Sequence, residues 1–378
     1  MRIAQTMGIH TEASLARCTP FEAELRRRLW WALVLFDRRI AEVAGSMGVT
    51  YLVPTWDCKI PLNVNDSELR PEMSESPKAA RVATEAIIVV VRAEFGEFIR
   101  HTGFQLDFTC PWLKPLARDT RHSQTPDGFV IPALERMLEQ EYLQLCDPKN
   151  SVHHMAIWMT RSQLATAHLV EYFAKAHEQD ASRLTQTQRS TALSHALRTL
   201  ACNTRIMASP LNKKLRWLIQ FYFPFPGYFH IVQELKRQPL GEQADKAWAI
   251  MAENYEAIFE SFPLSENESP AFRVFAKLIF VAWESREAAE LALTGELPAP
   301  PRMISHIKEQ LELLVQRQEQ TAEAQPWGGV TDTNYFSMGV QASPANQGLV
   351  PGVGLQEAFQ MPLAVDPSQL DWSAISWN

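Results

Sequence analysis

Thr19-Pro20-Phe21-Glu22-Ala23-Glu24-Leu25-Arg26-Arg27-Arg28-Leu29-Trp30-Trp31-Ala32-Leu33-Val34-Leu35-Phe36-Asp37-Arg38-Arg39-Ile40-Ala41-Glu42-Val43-Ala44-Gly45 is the stretch that decides the fold. Thr19 to Glu22 has the form of a capping box with proline at the first helical position. The Thr19 hydroxyl can accept from the Glu22 amide while the Glu22 carboxylate reaches back to the Thr19 amide. Leu25, Leu29, Leu33, Phe36, Ile40 and Val43 recur at steps of three and four, which predicts a single apolar helix stripe. Gly45 supplies the stop.

Outward from this helix, the pattern alternates between broken connectors and helical periods. Residues 46–80 hold Pro54, Pro61, Pro71 and Pro77 with Asn63, Asn65 and Asp66, and read as a connector. A helix is expected over 84–100, with Thr84-Glu85 at its start, then a loop over 101–128. Further helices are expected over 132–145, 151–178, 187–208, 211–222 and 228–237. The span 244–262 sets Trp248, Met251, Tyr255, Ile258 and Phe262 at helical spacing. The last two helices fall over 270–292 and 301–319, the second with Ile304, Ile307, Leu311 and Leu314 on one face. No stretch sustains the two-residue alternation of a half-buried strand. The predicted class is all-α: one multi-helix domain over 1–320, followed by a tail over 321–378.

Composition bounds the function. The chain carries a formal net charge of −7, whereas domains that grip phosphate backbone are basic, because Lys and Arg release counterions there. Strong direct nucleic-acid binding by these residues is therefore not expected. The five cysteines, Cys18, Cys58, Cys110, Cys146 and Cys202, form no C-x-x-C pair. They read as reduced, mostly buried thiols of a cytosolic or nuclear protein, neither a disulfide framework nor a zinc site. No secretory pattern opens the sequence, and the run Ile87 to Val91 is too short to span a bilayer. From Thr321 to Asn378 there is no Lys or Arg, against Glu323, Asp332, Glu357, Asp366 and Asp371. Such a segment buries too little apolar surface to offset its ordering entropy, so a disordered acidic tail is expected.

The segment Ile3 to Leu69 resembles the fungal-specific transcription factor domain, the middle homology region of binuclear zinc-cluster regulators. Three stretches carry the resemblance: Ala4 to His10 (AQTMGIH), Pro20 to Trp31 (PFEAELRRRLWW) with Phe36-Asp37-Arg38, and Pro61-Leu62-Asn63-Val64-Asn65-Asp66. Its signature positions are Arg26, Arg27, Arg28, Leu29, Trp30, Trp31, Asp37, Pro61, Asn63, Asn65 and Asp66. Residues 84–100 and 210–260 resemble later helices of the same family. The resemblance implies a nuclear transcription regulator whose helical domain transmits dimerisation, inducer or partner signals. It also implies a six-cysteine cluster that binds two zinc ions and reads DNA. No such cluster is in this sequence, so no cofactor is expected in the chain itself. DNA would be reached through residues not included here or through a partner subunit. The expected partners are the transcription machinery or a coactivator, and a related regulator as homo- or heterodimer, with no membrane. Two rival readings remain open: a partner that inhibits full-length regulators by dimerising with them, and a small-molecule-binding or enzymatic protein on the same scaffold.

Arg26, Arg27 and Arg28 spread across roughly 200° of a helix and cannot form one patch. Ion pairs are expected instead, one of them to Asp37 or a connector acid. Trp30 and Trp31 read as core more readily than as a pocket lining. His153-His154 point about 100° apart, unlike the i, i+4 pair of a metal site. Nucleotide-binding and nucleophile-elbow motifs are absent, and Cys110 or Cys202 as a nucleophile has no local support. No enzyme is expected. Asn212-Lys213-Lys214-Leu215-Arg216 reads as the face of a surface helix rather than a localisation signal. In the tail, Leu370, Asp371, Trp372, Ile375 and Trp377 have the acidic-hydrophobic composition of an activation segment that folds on a coactivator, with the apolar residues as anchors.

Overall fold

The computed structural model describes residues 2–43, 56–102, 130–178, 184–219, 223–261 and 270–323. Among them are eleven α-helices and no β-strand. In chain order they are α1 (Arg2–Thr6), α2 (Glu12–Leu15), α3 (Pro20–Val43), α4 (Ile87–Thr102), α5 (Ile131–Glu141), α6 (Ser151–Glu178), α7 (Gln186–Ala208), α8 (Phe225–Arg237), α9 (Glu242–Ser261), α10 (Pro270–Thr294) and α11 (Arg302–Glu323). The protein is all-α. The tail beyond Glu323, with Leu370, Asp371, Trp372, Ile375 and Trp377, lies outside the described residues, as do Cys110 and most of the 101–128 loop.

Three apolar cores follow one another along the chain. The first joins α1–α3 to the connector around Trp30, Trp31 and Trp56, and reaches α4 at Ala93. The second gathers α4, α5 and the first part of α6 around Phe98, Leu138, Met155 and Leu164. The third is the largest, where α7–α11 and the end of α6 meet around Leu200, Tyr228, Met251, Ile279 and Ile307. Helices α6 and α7 pair along their length and link the second core to the third.

Local signals set most boundaries. The Thr19 hydroxyl accepts from the Glu22 amide (3.2 Å) at the start of α3. The expected reciprocal bond is not made, because the Glu22 carboxylate is taken by Arg26 at 2.6 Å. Thr185 and Gln188 complete a full capping box on α7, each side chain bonded to the other's backbone. In α9, Trp248, Met251 and Tyr255 are buried and Ile258 is half-buried, as the period predicts. In α11, Ile304 and Ile307 are buried in the same way.

Two expectations are corrected. The Leu25–Leu29–Phe36 stripe does not face the core of α3: these residues are 43, 50 and 56% exposed. The buried face is Ala23, Glu24, Trp30, Trp31 and Val34. Both faces of α3 are apolar enough to satisfy a helical period, and the two tryptophans, burying about 150–250 Å² each, outweigh three smaller side chains. The second correction concerns 211–222, where no α-helix forms among the described residues. Short 3-10 turns occupy Pro210–Asn212 and Arg216–Leu218. Asn212 is fully buried, and its amide donates to the Ile206 carbonyl (3.1 Å) near the end of α7, which folds the chain into a cap. Lys213 and Lys214 therefore stand on a turn rather than on a helix face.

Candidate functional site

The positions that carry the family resemblance meet at one place, the seam between α3 and the connector. Glu24 is its centre. It is 1% exposed, accepts from the Leu62 amide (3.0 Å) and from Arg28 Nε (3.2 Å), and lies 3.9 Å from Arg27 Nη1. Burial pushes its carboxyl above the ordinary carboxylate range, and the Leu62 amide and Arg28 only partly offset this. A buried carboxylate held by a guanidinium and a backbone amide binds two chain segments only in the register where every partner is present.

The three arginines leave α3 in three directions. Arg26 pairs with Glu22 on its own helix. Arg27 forms a two-pronged pair with Glu12 of α2, Nε to Oε1 at 2.9 Å and Nη2 to Oε2 at 2.6 Å. Burial of Glu12 acts to raise its pKa, but the Arg27 bonds and the Lys59 amide (2.9 Å) outweigh it and hold the carboxyl below the usual range. Arg28 spans from Glu24 to Asp66 of the connector (2.6 Å) and to the Val64 carbonyl (3.4 Å). The connector acid thus receives an arginine. Asp37 receives none of these three, which corrects the first of the two pairings expected for it, and burial raises its own carboxyl.

The rest of the signature completes the seam. Trp31 donates its indole N–H to the Lys59 carbonyl at 3.0 Å. Trp30 and Trp31 each meet Trp56 edge-on, at centroid distances of 5.7 and 6.4 Å. Pro61 is buried. Asn63 donates to the Ala80 and Val82 carbonyls (3.1 and 2.8 Å) and accepts from the Thr84 hydroxyl (2.7 Å). Asn65 and Glu68 form a capping box on the turn Asp66–Glu68, and Asn65 also accepts from the Glu85 amide (3.4 Å). Leu29, half-exposed on the outer face, Arg26, paired within α3, and Asp37 are the signature positions that do not join the seam. Sequence reasoning named these residues but missed Glu12, Glu24 and Thr84 as their partners. The acids stand inside or beside the quoted motif, yet nothing in the spacing says which arginine each one meets.

The seam's named side chains bond to one another and to backbone groups. Among the described residues no group of three or more His, Cys, Asp or Glu could hold a metal ion. His153 and His154 have separate tasks. His153 Nδ1 accepts from the Asp147 amide (3.1 Å), and His154 Nδ1 meets the Asn212 amide nitrogen (3.0 Å). The cysteines, at least 36 residues apart in the chain, do not fit a binuclear zinc cluster, and no step is assigned to zinc here. Burial pushes the Cys58 thiol up to about 12 and the Cys146 thiol up to about 11, and also raises Cys202, so these are inert, protonated thiols. An open groove of about 460 Å³ beside the α8–α9 turn is lined by Leu193, Ile231, Leu235, Pro239 and Leu240, with Glu234 and Glu242 at its edge.

Comparison with known proteins finds likeness in sequence. No family model matches the chain, and no solved structure does. The chain is 42% identical over 313 residues to the transcriptional regulator AacuB of Aspergillus aculeatus, covering 82% of the chain and 42% of that protein. It is 41% identical over 290 residues to the transcriptional regulator nsrM of Aspergillus novofumigatus, 76% of the chain and 38% of nsrM. The aurofusarin cluster transcription factor aurR2 of Gibberella zeae is 26% identical over 310 residues, 80% of the chain and 44% of aurR2. The chain is thus similar over about four fifths of its length to fungal transcriptional regulators, and spans less than half of theirs.

Proposed function

We propose that this chain is the helical regulatory region of a fungal transcription regulator of the zinc-cluster kind. The observation that carries the reading is the similarity to AacuB and nsrM over 82 and 76% of the chain, and the seam of α3 supports it. In this reading the seam is scaffold, and regulation runs through protein contacts in the nucleus. DNA targeting comes from a six-cysteine cluster on chain not included here or on a partner subunit. The chain supplies no catalytic group. Leu370, Asp371, Trp372, Ile375 and Trp377 act as coactivator anchors, with the acids keeping the apolar side chains hydrated.

The test is made in the source organism. Chromatin immunoprecipitation of the tagged protein should recover a defined set of promoters, and deletion should lower transcripts from those genes. Raised transcripts after deletion would favour the inhibitor reading. No promoter recovery together with unchanged transcripts would contradict regulation altogether. Sequencing the 5′ end of the transcript adds an independent check, because an upstream frame with six closely spaced cysteines is expected.

A further inference from the structure

The turn between α7 and α8 carries a surface that the regulatory reading does not use. Trp217 is 64% exposed and Leu211 is 41% exposed, on a segment of nine residues that also presents Lys213 and Lys214 to solvent. Neither lysine makes an ion pair among the described residues. Beside them, Asn212 reaches His154 of α6, and the Arg205 guanidinium lies 4.3 Å from the centroid of Trp158. Arg205 is exposed and likewise has no carboxylate partner among the described residues. Arg161 also lies over Trp158, at 5.2 Å, but is neutralised by Glu139. Arg216 buries its Nε without a hydrogen-bond partner. Trp217 and Leu211 thus stand exposed on one short turn with Lys213 and Lys214, and Arg205 precedes that turn near the end of α7.

The charge pattern of the whole chain says what complements this surface. Residues 181–233 hold seven Lys and Arg and no Asp or Glu, whereas residues 324–378 hold four acids and no Lys or Arg. At the end of the tail, Asp366 and Asp371 are interleaved with Leu370, Trp372, Ile375 and Trp377. The two stretches are opposite in charge and alike in apolar content. Trp217 and Leu211 can take the tail's indole and aliphatic groups, the lysines its carboxylates, and the cations can also stack on its indoles. Residues 324–366 span up to about 150 Å when extended, so the tether imposes no choice of site. A phosphate-backbone partner fits less well, because the chain as a whole is acidic.

We propose that the Trp217 ridge, with Leu211, Lys213, Lys214 and Arg205, is the docking site for the acidic-hydrophobic C-terminal segment 366–378 of the same chain. This goes beyond the regulatory reading: the tail anchors are shared with it but the ridge is not, so docking can fail while promoter recovery and the transcript response stand. The docked state would cover the aromatic groups that otherwise meet an external partner.

Zero-length carbodiimide coupling on the full 378-residue chain tests it, read by peptide mass spectrometry on an equal mixture of heavy- and light-nitrogen copies. Asp366 and Asp371 should couple to Lys213 and Lys214 at least about fivefold more than to the exposed Lys59, Lys78, Lys149, Lys246 and Lys308, reflecting the high effective concentration of a docked segment. The links should join residues of equal isotope label. They should fall to the level of the other lysines in Trp217→Ser, whose helical circular dichroism should be unchanged because the residue is exposed. Even coupling across the lysines, no coupling of the tail acids, or retention of the preference in Trp217→Ser would each overturn the proposal. Links that join heavy to light copies would overturn it in favour of a second copy.

Discussion

The α3 seam and the α7–α11 core solve the same problem, locking helices together, by opposite means. At the seam, Glu24, Arg27 and Arg28 tie α3 to α2 and the connector, 15 to 38 residues away, and Asn63 and Asn65 tie the connector to residues 80–85, through bonds that each need one particular partner. In the α7–α11 core, Leu200, Ile231, Met251, Ile279 and Ile307 interlock, and any apolar side chain of similar shape would serve. One polar knot interrupts that core, where Asn254 receives Tyr228 (2.9 Å) and donates to Asn203 (2.9 Å) and to the Leu200 carbonyl (3.2 Å). A seam built on residue identity constrains sequence tightly, and a core built on volume constrains only its pattern.

The comparison can be broken most directly at Glu24. Glu24→Ala should cost about 3–5 kcal/mol in urea unfolding, because it leaves the Leu62 amide without its acceptor and takes from Arg28 one of its two carboxylates. Glu24→Gln should cost clearly less, since it keeps an acceptor for Leu62 and removes a charge that burial disfavours. Equal costs for the two variants would mean that the charge itself, rather than the shape and acceptor that glutamine keeps, holds the seam.

A smaller effect separates the two regions by pH. His230 in α8 is 3% exposed, flanked edge-on by Tyr172 and Phe173, and burial pushes its pKa down to about 4. The unfolded chain takes up this proton near 6.5 and the folded chain does not, so stability is complete above 6.5 and is lost as pH falls toward 4. The loss should approach about 3 kcal/mol at pH 4. His230→Phe should remove this portion of the pH dependence. Glu24 should oppose it, because a raised folded-state pKa makes its burial less unfavourable as pH falls.

Close helix approach gives a matched pair of substitutions. A Cβ on Gly96 would lie 2.9 Å from the ring of Trp31, and one on Gly227 would lie 2.7 Å from Leu200 Cδ1 and 3.2 Å from the Ala196 carbonyl. Each Gly→Ala change should cost about 1–3 kcal/mol by overpacking, with Gly96 the more severe, because a buried indole yields less than a leucine methyl. The smallest effect belongs to Arg26→Ala. Its pair with Glu22 is partly exposed and lies within one helix, so the change should stay within about 0.5 kcal/mol.

Much of the fold was legible for physical reasons that also mark where legibility ends. Trp248, Met251 and Tyr255 face the core because a single apolar face on an otherwise polar helix has only one way to turn. Helix α3 has two apolar faces, and the correct one includes Glu24, a residue that hydropathy assigns to water. Only knowledge of the Leu62 amide and Arg28 makes its burial intelligible, and those contacts are not local in sequence. The turn at 210–218 hid for a related reason. Its helical composition yields to the buried Asn212, whose partners Ile206 and His154 lie on two other helices. The arginines were rightly expected to diverge into ion pairs, but Glu12 could not be named, because α2 is four residues long and carries almost no period.

The central claim is that the family signature at α3 is scaffold and not a contact surface. Urea unfolding of Arg28→Met measures this directly. A loss of about 3–5 kcal/mol at unchanged denaturant slope is expected, because buried Glu24 loses the Arg28 bond and keeps only Arg27 at 3.9 Å. Stability within about 0.5 kcal/mol of the parent protein would contradict it and return the arginines to the surface as a binding site.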